Sequence, residues 1–78
     1  MGRRALRPML IRLSNPSYAD DLCAHFRHSG FTAKRRGSRT IEVERPDAPN
    51  PAQEVREVEL HLSVWRATNP GVIALVER

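Results

Sequence analysis

The sequence predicts one α+β domain, two layers deep, with its elements in the order β-α-β-β-α-β. Three observations carry this. Short aliphatic runs at 8–13 and 72–76 read as strands near the two ends of the chain. Two Asn-Pro steps, Asn15-Pro16 and Asn50-Pro51, each open a segment whose apolar residues recur at helical spacing. Between those segments, 31–45 holds two alternating stretches about a Gly37-Ser38 turn. At 78 residues, with 40% hydrophobic and 28% charged side chains, the chain is a single domain with little core to spare.

Each element has its own local reason. The first strand is bounded by Pro8 and by Ser14-Asn15-Pro16. Asn15 then caps the first helix, and Pro16, with no N–H to leave unpaired, starts it. Ala19, Leu22, Cys23 and Phe26 follow as one stripe, so Cys23 reads as a small core residue. Asp20 and Asp21 near the start and His28 near the end suit the helix dipole, and Gly30 is the left-handed stop. In 31–45, a two-residue loop would set Phe31 opposite Glu44. An odd loop of three or five residues avoids this. The three-residue form, Arg36-Gly37-Ser38, pairs Phe31 with Val43 and Ala33 with Ile41, leaving Lys34 outward beside Glu42 and Glu44.

Residues 46–51 form a proline-stiffened connector. The following stretch, 52–67, fits two periods. Val58, Leu60, Leu62 and Val64 alternate as in a strand, while Val55, Val58, Leu62 and Trp65 share one helical stripe. The start signal at Asn50-Pro51, Gln53 and Glu54 in the first turn, the length, and the stop at Asn69-Pro70-Gly71 favour the helix. The final run, 72–76, is a strand buried on at least one face. This order is the split βαβ pattern of the ferredoxin-like superfold: a two-layer sandwich with a four-stranded antiparallel sheet, order 4-1-3-2, and two helices on one face. Residues 8–78 make that domain, and residues 1–7 form a flexible basic arm ahead of it.

Composition excludes several classes. No apolar run approaches the roughly 18 residues of a membrane span. One cysteine leaves no intramolecular disulfide framework and no Cys-based zinc finger. Cys23, His25 and His28 are close in sequence, but Cys23 lies on the far side of the helix from His25, so the three cannot converge on a metal. A thiol in the core stripe stays protonated and inert, and no Gly-x-Ser-x-Gly turn presents a hydroxyl nucleophile. Acylphosphatase-like enzymes share this topology, yet Ser14-Asn15-Pro16 lacks their arginine and glycine-rich phosphate cradle. The RNA-recognition motif shares it too, but the central strands carry no aromatic, and Glu42 and Glu44 face outward where phosphate would pass. The expectation is a cytoplasmic protein that is not an enzyme and needs no cofactor.

Two features point to partners. Leu60, Val64 and Ala67 lie nearly opposite the core stripe of the second helix, which marks a protein interface, with a second copy or another protein. The outer sheet face is also thinly covered, by Leu10, Arg12 and part of 72–76. The alternative is sequence-indifferent nucleic-acid binding. Residues 1–40 hold nine basic and two acidic side chains, a charge of +7, and residues 41–78 hold four and seven, −3. Arg3, Arg4 and Arg7 on the arm, with Lys34, Arg35, Arg36 and Arg39 on the hairpin, are the residues that would grip a phosphate backbone.

Overall fold

The computed structural model describes residues 9–77, in which β1 (Met9–Leu13), α1 (Ala19–His28), β2 (Thr32–Arg35), β3 (Thr40–Glu44), α2 (Pro51–Thr68) and β4 (Ala74–Glu77) follow in chain order. The strands form one antiparallel sheet ordered β2-β3-β1-β4, the ferredoxin-like arrangement read from the sequence. Side chains of one parity, among them Ile11, Leu13, Ala33, Ile41, Val43 and Ala74, point to the helices. There they join Leu22, Phe26, Val58, Leu62 and Trp65 in a single core. The arm, residues 1–7, lies outside the described residues.

Both Asn-Pro devices act as caps. The Asn15 Oδ1 accepts from the Ser17 N–H (3.0 Å), but Pro16–Tyr18 forms a single 3-10 turn, and α1 proper begins at Ala19. The Asn50 side chain accepts from the Gln53 N–H at 2.8 Å and opens α2 directly. At the end of α1, Gly30 sits at φ 91°, a conformation strained for any side chain, and lets the Phe31 N–H return to the Phe26 carbonyl at 3.0 Å.

Two details differ from the sequence reading. Of the two odd loop lengths expected, the hairpin takes five residues, 36–40, between its last paired positions, so the pairing differs by two from the three-residue form: Ala33 pairs with Val43 and Arg35 with Ile41. The tip closes further along because the N–H groups of both Arg36 and Gly37 bond the Thr40 carbonyl, at 2.8 and 3.2 Å. A shift of two keeps every side chain on its own face, so the core is unaffected. In α2 the buried first-turn residue is Glu54, 6% exposed, and Val55 is only half-buried. The Glu54 carboxylate accepts from the Arg45 N–H at 2.7 Å, satisfying a backbone donor where β3 ends.

The helices are tied across their seam by polar contacts. The Trp65 indole N–H donates to Asp21 at 2.9 Å, Tyr18 stands edge-on to Trp65 at 6.2 Å, and the His25 Nε2 lies 3.0 Å from the His61 carbonyl oxygen. Each sheet edge is also tied to the helix above it. Hydrogen bonding from Arg36 to Thr40 and from Ser14 to Ile73 fixes which residues of β2 and β4 turn their backbone groups inward. By alternation, Ala33 and Ala74 turn theirs out. Arg27 of α1 donates twice to the Ala33 carbonyl (2.9 and 2.6 Å), and Arg66 of α2 donates to the Ala74 carbonyl at 2.7 Å. An arginine thus occupies an outward carbonyl on each edge, which blunts the edges as templates for another strand.

Candidate interaction surfaces

Because α2 is helical throughout, its second apolar set is turned away from the core. Leu60 is 61% and Val64 53% exposed, and Ala67 is exposed beside them. They stand at i, i+4 and i+7, so they form one stripe along a single helix face. The sheet holds a second exposed apolar set. In β4 and the two residues before it, Val72, Ala74 and Val76 turn inward, which sends Ile73 (62% exposed) and Leu75 (57%) to the outer face. Leu75 is the register partner of Arg12 on β1.

The hairpin cations fall into two groups. Lys34 and Arg36 share one carboxylate, that of Glu42, at 3.7 and 2.6 Å, and Arg35 reaches Asp20 at 3.3 Å. Arg39 makes no ion pair among the described residues. Sequence alone treats these four as equivalent; the structure separates Arg39 from the others. Arg39 and its neighbours Arg12, Leu13, Ser14, Ser38, Thr40, Ile73 and Leu75 line an open depression of about 500 Å3 at the hairpin end of the outer face. Among the described residues no carboxylate lines it. Arg12 does hold Glu77 at 3.3 Å, but its side chain is still two-thirds exposed. Arg3, Arg4 and Arg7 lie outside the described residues. Arg12, Ser14, Ile73 and Leu75 carry a signal the sequence does contain: their parity puts them on one outer face. Their convergence with Arg39 depends on where the hairpin tip folds.

The residue types most often used in chemistry are placed as follows. Cys23 is buried, and burial pushes its thiol up from the ordinary value; Asp20 adds to this, while Arg27 and Arg35 pull the other way. His25 and His61 are half-buried against Phe26 and Phe31, with the Arg45 guanidinium 4.9 Å above the Phe31 ring. Arg45 is itself held by Asp47 and Glu57, at 3.2 and 3.1 Å. His28 is exposed. Among the described residues no group of three or more His, Cys, Asp or Glu is gathered to hold a metal ion, and no helix is long and apolar enough to cross a membrane. Compared with known proteins, the chain matches no family, no curated protein and no solved structure.

Proposed function

We propose that this chain is a small, non-catalytic interaction or regulatory domain of the cytoplasm that works by self-association through the outer stripe of α2. The observation that supports this reading is the exposure of Leu60 and Val64 on a helix whose opposite face is fully committed to the core. The stripe from Leu60 to Ala67 suits a second copy. Leu60 and Val64 are one turn apart, so an antiparallel α2 sets each Leu60 against the other copy's Val64 about a two-fold axis. Leu60, Val64 and Ala67 are themselves uncharged, so their contact brings no like charges together, and the charges of Arg56, Glu57 and Glu59 flank them. A buried thiol and a half-buried histidine held to a backbone carbonyl offer no paired acid, base or nucleophile, which favours an interaction role over catalysis.

Sedimentation equilibrium tests this. A dimer is expected at tens of micromolar, and Leu60→Glu is expected to leave single chains. Single chains at high concentration, unchanged by Leu60→Glu, overturn the proposal.

A second reading is favoured by one specific observation, that Arg39 makes no ion pair among the described residues. The chain would bind nucleic acid without reading sequence, using Arg3, Arg4 and Arg7 with Lys34, Arg35, Arg36 and Arg39. Lys34, Arg35 and Arg36 already face carboxylates, so Arg39 is the hairpin cation with the most to gain from a phosphate.

A further inference from the structure

We infer that the depression beside Arg39 is a binding site for single-stranded nucleic acid, with Arg12 and Arg39 on the phosphates and Ile73 and Leu75 against a sugar–base face. This rests on the second reading above and gives it a location outside the arm and the charged strand β2. The argument begins with the lining. Two guanidiniums, three hydroxyls from Ser14, Ser38 and Thr40, and two exposed aliphatic side chains converge with no carboxylate among them. An unpaired guanidinium with hydroxyl donors nearby is the chemistry that holds a phosphate oxygen. The aliphatic side chains have no use for a free phosphate. They suit a ligand in which each phosphate is followed by an apolar surface, as in an unpaired strand whose bases are accessible.

The acidic residues of the same face decide between partners. Glu42 is held between Lys34 and Arg36, and Glu44 is further along β3; Glu77 borders the depression through its ion pair with Arg12, which a phosphate on Arg12 would have to displace. An anionic bilayer would meet the whole face, including these carboxylates. A single strand follows the acid-free depression alone. Duplex DNA would present phosphates but keep its base faces stacked, leaving Ile73 and Leu75 unmatched.

Fluorescence anisotropy of the full chain with a labelled thymidylate oligomer of about 20 nucleotides, at about 50 mM salt and above, tests the site. Arg39→Ala and Arg12→Ala are each expected to weaken binding about threefold to tenfold and to flatten the dependence of log K on log salt by about 0.7. Leu75→Ser is expected to weaken binding about threefold with the salt slope unchanged, because it removes an uncharged contact. Arg56→Ala on α2 removes the same charge elsewhere and is expected to leave affinity within about twofold. If Arg39→Ala does no more than Arg56→Ala, the site is wrong while binding through the arm survives. If the oligomer does not bind at low salt, the site and the nucleic-acid reading fall together. Equal affinity for a duplex, for polyglutamate or for anionic vesicles, with Leu75→Ser silent, also overturns the assignment.

Discussion

Two pairs of aliphatic side chains stand in solvent on opposite sides of this molecule, and their neighbours separate them. Leu60 and Val64 on α2 continue into Ala67, in a stripe without charge. Ile73 and Leu75 on the outer sheet face stand beside Arg12, Arg39 and three hydroxyls. Exposure alone says only that apolar surface is available. The neighbours say for what: an uncharged stripe with two-fold self-complementarity suits a copy of itself, and an aliphatic wall beside unpaired cation suits a phosphate-bearing strand. The sheet edges narrow the choice further. With Arg27 and Arg66 already on the outward carbonyls of Ala33 and Ala74, association by strand addition is disfavoured, and the faces remain.

The comparison breaks if either pair proves structural. Its largest test sets α2's two faces against each other. Leu62→Ala is expected to cost about 2–5 kcal/mol, because Leu62 is fully buried, whereas Leu60→Ala should stay within ~0.5 kcal/mol in dilute protein. Urea unfolding measures both, and equal losses would mean that Leu60 is core. Next in size is the anchor that sets the rotation of α2. Glu54→Ala removes the acceptor of the Arg45 N–H and is expected to cost about 1–3 kcal/mol. A loss of only a few tenths in the same assay would mean that the carboxylate does not orient the helix, and with it the stripe.

The smallest effect is pH-dependent. Burial raises the Cys23 thiol above its ordinary 9.0, so the unfolded chain loses that proton first as pH rises. The Cys23 contribution is therefore constant below about pH 9 and falls above it, until the folded thiol also ionises. Unfolding from neutral to pH 10 should show a steeper decline in the wild type than in Cys23→Ala. Parallel curves would place the thiol in contact with water.

How much of this was legible depends on what the pattern can encode. Element order, the Asn50-Pro51 cap, the Gly30 stop and the odd hairpin loop follow from local chemistry and hold, while Asn15-Pro16 caps a 3-10 turn ahead of α1 and not α1 itself. The hairpin register does not follow, since pairings two residues apart bury the same side chains and only the backbone bonds at Thr40 choose between them. Glu54 was invisible for a different reason: hydrophobic periodicity assigns a carboxylate to solvent, and the Arg45 N–H that holds it inward lies nine residues away across the connector. The arginines were legible only as charge. Arg27 and Arg66 are occupied by carbonyls, Arg45 by two carboxylates, and Arg39 by neither, a division set entirely by the fold.

The stripe on α2 carries the main claim, and mass in solution reaches it most directly. Sedimentation equilibrium of the wild type beside Leu60→Glu should give twice the chain mass for the first and one chain mass for the second. One chain mass for both, at the highest concentration reached, contradicts the account.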